Sequence, residues 1–184
     1  MTKQRIRRAY HEASHAVAAR MQGVEVVSVL MFQTDENTRS SILSRSAAHD
    51  AEQQDTASRI AGLEIDIRVS LAGPVGDELH REARTQSRVM RDGAADDVAN
   101  SQNLAFLVAM LMAGEHVPQV PHGERTDMEA SSAFIESANA ILRRLRDETK
   151  VLLTEHWPAI ERVAQALITR NLLDQVELDR LIAG

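Results

Sequence analysis

Apolar residues near the N-terminus follow first a helical and then a strand-like spacing. Over residues 4–21 they recur every three to four positions, which predicts an amphipathic helix that stops before Gly23. Residues 24–32 are rich in β-branched side chains and predict a strand, residues 33–39 predict a turn, and residues 40–45 predict a returning strand. This hairpin is the only β structure that the pattern supports, and so small a sheet needs helices packed against it.

The rest of the chain has helical periodicity. A buried helix is predicted to reach Leu71, where Gly73-Pro74 interrupts it and Pro74 opens a further helix. The expected fold is therefore mainly α, with one small β-hairpin or sheet near the N-terminus. A single domain is expected over 1–184, with a half that holds the candidate site, 1–113, and a helical C-terminal half, 124–184. The other predicted elements are a helix over 93–113, a proline-containing loop over 114–123, helices over 127–155 and 157–168, and a short final element over 172–182.

The composition excludes several classes of protein. The 184 residues include no cysteine, which excludes disulfides, thiolate zinc sites and cysteine nucleophiles. The formal net charge of -6 argues against a general nucleic-acid-binding protein. The longest apolar run, Leu104–Ala113, is about half of the roughly 20 residues that cross a bilayer, so no membrane insertion is expected. No apolar targeting core follows the basic start, and we expect a cytoplasmic protein.

The run His11-Glu12-Ala13-Ser14-His15 has the spacing of a catalytic zinc helix. Residues four apart lie one turn above each other, so both imidazoles can reach one metal ion. Both histidines border the apolar face of the first predicted helix, where a partly buried ligand is expected. Glu12 lies beside them and can act as general base on a metal-bound water without being a ligand. Without cysteine, His and carboxylate ligands suit a hydrolytic Zn²⁺ site with an open position.

The third ligand is less well specified by the residues alone. A catalytic zinc takes three protein ligands, and the candidates are another histidine or a carboxylate. Asp96 and Asp97 both fall in the first turns of the helix that follows Gly93, and the pattern does not choose between them. Asp77 and Glu78 are runners-up that either orient a histidine from behind or lie in solvent. No spacing singles out one of the remaining histidines, which are His49, His80, His116, His122 and His156.

Three segments, in this order along nearly the whole chain, resemble the peptidase domain of the FtsH family of ATP-dependent zinc proteases. They are Ala9–Ala16, then Val69–Leu79, where the family has a glycine-arginine turn and two glutamates, and Gly93–Asp97, where it has a glycine-alanine start and an aspartate. The resemblance implies an FtsH-like zinc peptidase fold, a catalytic base at Glu12 and a zinc ion bound by His11, His15 and Asp97.

The chain also departs from the family pattern. Ser14 replaces a usual glycine, Pro74 replaces a usual arginine, and no G-x-x-x-x-G-K-[ST] loop for ATP occurs in the sequence. We therefore expect a stand-alone, ATP-independent zinc metalloendopeptidase that acts on a polypeptide substrate. A separate ATPase or adaptor that delivers the substrate, and a homo-oligomeric state, are left open.

The sequence also allows two other functions. One is a non-proteolytic relative that uses zinc structurally and binds a partner through 124–184. Another is a hydrolase in which Glu78 replaces Asp97 as ligand. The strand over 24–32 is expected either to be an edge that pairs with the substrate backbone or to be a core strand.

Overall fold

A computed structural model describes residues 2–33, 38–44, 55–80, 94–114 and 132–184. Within them the chain is mainly helical with a small antiparallel sheet, as the hydrophobic pattern predicts; the FtsH-like identity of the fold stays a prediction. The helices are α1 (Lys3–Met21), α2 (Thr56–His80), α3 (Ala94–Met112), α4 (Ser132–Glu155), α5 (Trp157–Arg170) and α6 (Gln175–Ala183). The strands are β1 (Val26–Gln33), β2 (Thr38–Ser44) and β3 (Leu172–Asp174).

Helix α1 lies at the centre of the fold. Its start is capped by the Thr2 side chain, which accepts a hydrogen bond from the backbone N–H of Arg5 at 3.3 Å. It is followed by Gly23 at a φ of 77°, a left-handed conformation that favours glycine after a helix. All residues from Ala9 to Ala19 are buried, so the helix is enclosed beyond its predicted apolar face. The polar side chains of the zinc-type motif are consequently inside the molecule.

Helix α2 runs without a break through Gly73 and Pro74, so the predicted interruption there is wrong. A proline inside a helix removes one backbone hydrogen bond and costs about 3 kcal/mol or more. Leu71, Ala72 and Val75 on either side of it are buried. Their burial offsets this cost, since each large apolar side chain taken from water contributes roughly 1.5–3 kcal/mol. One continuous helix therefore lies along α1.

The sheet has three strands in the order β2–β1–β3. β1 pairs antiparallel with β2, which confirms the predicted hairpin, and pairs antiparallel with β3 on its other side. β3 was not predicted, because three residues are too few to show an alternating pattern. Since β1 is the central strand, the hypothesis that it is an edge available to a substrate backbone is wrong. Its buried residues Val29 and Met31 make it a core strand.

Two hydrophobic clusters form the core, and α2 contributes to both. The first cluster joins α1, the sheet, α5 and α6, with Val17 and Ile160 fully buried. The second cluster joins α2, α3 and α4 through residues such as Ile67, Val108 and Leu145. Each cluster draws residues from both of the predicted halves, 1–113 and 124–184. The C-terminal helices thus complete the packing around α1.

The apolar part of α3 is used for packing inside the protein. Ala105, Val108 and Ala109 are buried in the second cluster, against α2 and α4. None of the helices in the described ranges has an apolar stretch long enough to cross a bilayer.

Candidate metal centre

The side chains of His11, His15 and Asp97 meet at one point between α1 and α3. Nε2 of His11 lies 3.2 Å from Nε2 of His15. Oδ2 of Asp97 lies 3.0 Å from Nε2 of His11 and 3.5 Å from Nε2 of His15. Both histidines are buried, while the Asp97 side chain keeps 27% of its surface exposed. Among the described residues, these three form the one group of this kind that could hold a metal ion.

The spacing of these three atoms fits a tetrahedral metal ion. Zinc binds histidine nitrogen and carboxylate oxygen at roughly 2.0–2.2 Å, and tetrahedral angles then place neighbouring donor atoms about 3.3 Å apart. The observed separations of 3.2, 3.0 and 3.5 Å surround that value. Two imidazoles and one carboxylate leave the fourth position without a protein ligand, as in catalytic zinc sites.

Gly73 of α2 lies against the two histidine rings and leaves space for an ion between them. A Cβ atom added to Gly73 would lie 2.3 Å from Nε2 of His15 and 2.5 Å from Nε2 of His11. These distances are close to those of a metal–nitrogen bond, so a side chain at Gly73 would fill the space that an ion between the two nitrogens needs. A small-residue contact between α1 and α2 continues at Gly76, where a Cβ atom would lie 2.0 Å from Oγ of Ser14. Ser14 thus packs closely against Gly76.

The orientation of His15 is set by the backbone of α2. Its Nδ1 lies 2.6 Å from the carbonyl oxygen of Val69. Because a carbonyl only accepts hydrogen bonds, Nδ1 carries the proton and donates it. In the neutral ring, Nε2 then carries the lone pair and faces His11 and Asp97, which is the tautomer that a metal ligand needs.

The orientation of His11 is set by the buried carboxylate of Asp77, which also lies in α2. Oδ2 of Asp77 lies 3.4 Å from Nδ1 of His11 and accepts a hydrogen bond from Nε of Arg7 at 3.0 Å. The Asp77 side chain is 1% exposed, so Arg7 and His11 compensate a charge that would otherwise be costly to bury. Of the two functions considered for Asp77, the geometry supports the orientation of a histidine from behind.

The charges around His11 shift its pKa strongly. Burial alone would lower the pKa of His11, but hydrogen bonds to Asp77 and Asp97, together with the charges of Asp77 and Glu12, raise it to about 9. Burial would raise the pKa of Asp97, yet the two histidines hold it far below its usual range. The pKa of Asp77 is also lowered, against its burial, by His11 and Arg7. Without an ion, the centre is therefore a histidinium held by two carboxylates.

Glu12, the predicted general base, is buried beside the candidate ligands in α1. It follows the first candidate ligand in α1 and is only 6% exposed. Its charge is among those that raise the pKa of His11. It does not belong to the group of three side chains that could share an ion.

Among the described residues, the other sequence candidates do not belong to this group. Asp96 is exposed in the first turn of α3, so the geometry chooses Asp97 from the pair that the sequence left open. Glu78 forms an ion pair with Arg146 of α4, which removes support for Glu78 as the third ligand. His80 stacks on Tyr10 with ring centroids 3.7 Å apart, and His156 precedes α5. His49, His116 and His122 lie outside the described residues.

The sequence does not show that Gly73 and the backbone carbonyl of Val69 lie against the two histidines. Glycine followed by proline is the usual signal of a helix break, so the sequence predicts a break at Gly73. The carbonyl of Val69 has no side-chain signature at all.

Comparison with known proteins adds no identification. No protein-family model matches this chain, and no curated protein matches it. The resemblance to the FtsH peptidase domain rests on the three sequence segments.

Proposed function

We propose that this protein is a zinc-dependent metallopeptidase that hydrolyses peptide bonds of a polypeptide substrate. The observation that carries the proposal is the triangle of donor atoms from His11, His15 and Asp97, with edges near the tetrahedral value and Gly73 beside it. A zinc ion held by these three side chains would acidify a water molecule and polarise the carbonyl of the scissile bond. Two of the three candidate ligands and the base come from one helix, α1, as the H-E-x-x-H arrangement requires, and α3 supplies Asp97.

The protein's own residues hold the two imidazoles in place and carry the proton. The Val69 carbonyl and the Asp77 carboxylate hold the two imidazoles so that both Nε2 atoms face the same point. Glu12 accepts the proton of the attacking water on its carboxylate and gives it to the amide nitrogen as the carbon–nitrogen bond breaks. Burial of α1 excludes bulk water from one side of the centre, which strengthens these electrostatic interactions.

The substitution Glu12→Gln tests the proposal. Casein, an unfolded protein, is incubated with the zinc-loaded wild type, with Glu12→Gln, and with the control Glu161→Gln, which changes an exposed glutamate of α5. We expect chelator-sensitive cleavage by the wild type and the control, and a rate about 10²–10⁴-fold lower in Glu12→Gln, the usual contribution of a general base. Zinc content is measured for all three and should remain one ion per chain.

Equal cleavage by the wild type and Glu12→Gln would contradict the assignment of the base. Stoichiometric zinc without cleavage in any of the three proteins would contradict the peptidase and favour a zinc-stabilised binding protein. Absence of zinc binding by the wild type would contradict the metal centre itself.

A further inference from the structure

The three candidate ligands are not equally well held in place. His11 and His15 lie in the buried middle of α1, and their side chains are 4% and 7% exposed. Asp97 lies in the first turn of α3 and its side chain is 27% exposed. The fully buried apolar residues that anchor α3 in the second cluster begin at Ala105. The third ligand is therefore separated from the apolar anchor of its own helix.

Because of this separation, a small tilt of α3 would displace Asp97 noticeably. Eight residues of helix, from Asp97 to Ala105, span about 12 Å. A tilt of α3 by roughly 5° about Ala105 would then displace Asp97 by about 1 Å. Metal ligands need to be held within about 0.5 Å. Apolar packing tolerates small tilts, so a directional contact near Asp97 is needed to fix it.

One hydrogen bond of the described residues meets this need. Nδ2 of Asn100 donates to Oγ of Ser70 at 2.8 Å, which joins α3 to α2. Asn100 lies one helical turn after Asp97, and Ser70 follows the Val69 whose carbonyl holds His15. The contact therefore fixes the start of α3 at the level of the candidate metal centre.

We infer that Asn100, through Ser70, is a positioning residue that holds Asp97 at the metal centre; the inference rests on the proposed zinc site. Helix α2 then orients all three ligands from one face. Asp77 holds His11, the Val69 carbonyl holds His15, and Ser70 holds the helix of Asp97. Outer contacts of this kind keep ligands in place and affect metal affinity without touching the ion.

The exposure of this hydrogen bond makes a positioning function separable from a structural one. Asn100 is exposed, so its removal should leave the stability of the metal-free protein nearly unchanged. Its effect should appear in zinc affinity and in the visible absorption spectrum of the Co²⁺-substituted protein, which reports coordination geometry.

The test uses five variants of the full chain. Asn100→Ala and Ser70→Ala each remove the hydrogen bond, and the double variant removes both partners. Ser70→Thr keeps the hydroxyl, and Asn103→Ala is the matched control, because Asn103 is an exposed asparagine one turn further along α3. Zinc affinity is measured by competition with a chromophoric chelator, and stability is measured by urea unfolding without metal.

We expect zinc binding about tenfold weaker in Asn100→Ala and in Ser70→Ala, with an altered Co²⁺ spectrum in both. The double variant should bind zinc as tightly as either single variant, because both substitutions remove the same hydrogen bond. Ser70→Thr and Asn103→Ala should bind as the wild type does. If Asn100→Ala binds zinc within twofold of Asn103→Ala, the inference is overturned while the zinc site stands. If the wild type binds no zinc, the metal centre and this inference both fail.

Discussion

Replacing Gly73 with alanine should remove tight zinc binding with only a moderate loss of stability. The added methyl group would lie 2.3 Å from Nε2 of His15 and 2.6 Å from Cε1 of His11. Normal contacts between such atoms are about 3.5 Å, so each ring would have to move by about 1 Å. The rings cannot swing away freely, because Val69 and Asp77 hold their other nitrogens.

Two opposing terms set the stability of the Gly73→Ala protein. Overpacking of a buried contact costs about 1–3 kcal/mol. Alanine is favoured over glycine inside a helix by roughly 0.5–1 kcal/mol. The net loss should therefore be at most about 2.5 kcal/mol, which lowers the melting temperature by no more than about 5–10 °C in a domain of this size. The variant should remain folded.

Zinc binding should be affected far more strongly. If the wild type binds zinc as proposed, zinc at 1,000 times its dissociation constant would stabilise it by about 4 kcal/mol. If the methyl group weakens binding at least 100-fold, the same zinc concentration stabilises Gly73→Ala by at most about 1.4 kcal/mol. Thermal unfolding with zinc and with chelator measures this difference directly, and chelator competition gives the affinity.

The substitution Gly76→Ala is the control for separation of α1 from α2. Its methyl group would meet Ser14 at 2.0 Å from Oγ and 2.6 Å from Cβ, away from the ligand nitrogens. It should cost stability while keeping more of the zinc-dependent stabilisation than Gly73→Ala does. Zinc binding by Gly73→Ala with wild-type affinity would refute the assigned position of the ion. An equal loss of affinity in both variants would attribute the effect to helix separation.

Two further predictions concern the charges behind the histidines. In the metal-free protein, His11 should titrate near pH 9 by NMR, because hydrogen bonds to Asp77 and Asp97 raise its pKa against the effect of burial; a midpoint near 6.5 would contradict this arrangement. Folding raises the pKa of His11, so the charged ring stabilises the folded protein fully below pH 6.5, and this stabilisation is lost as the pH rises through 9. Thermal unfolding with chelator should therefore show the stability of the protein decreasing between pH 6.5 and 9. Asp77→Asn should lower the pKa of His11 and weaken zinc binding about 10–100-fold in chelator competition, whereas an unchanged affinity would show that Asp77 does not support the ligand.

The parts of the fold with strong periodicity were predictable from the sequence. α1, the β1–β2 hairpin and the helical character of the later segments all follow from apolar spacing. The continuity of α2 did not, because Gly73-Pro74 is a local signal for a break, while the burial of Leu71 and Val75 that overrides it depends on distant helices. β3 was missed because its three residues gain their strand conformation from pairing with β1.

The sequence predicts the three residues that meet at the candidate metal centre, but it does not predict the contacts that orient them. His11 and His15 carry a spacing that has a direct geometric meaning on a helix. Asp97 required the resemblance to choose it from the adjacent Asp96, and the structure brings it to the histidines. The contacts from Val69, Asp77 and Ser70 depend on how α2 lies against α1 and α3, which no pattern within a single segment contains.

The helix that carries His11 and His15 is enclosed by elements that lie much later in the sequence. Arg5 donates a hydrogen bond to the carbonyl of Ile168 at 2.9 Å, and β1 pairs with β3. A nascent chain of 114 residues already contains His11, His15 and Asp97 but lacks the surface of α5 that covers α1. The helix α5 begins 43 residues later (157 − 114), so at roughly 5–20 residues per second its synthesis starts about 2–9 s after residue 114 has been added. The cover over α1 is therefore made after all three candidate ligands, and α1 stays incompletely enclosed until α5 has packed against it.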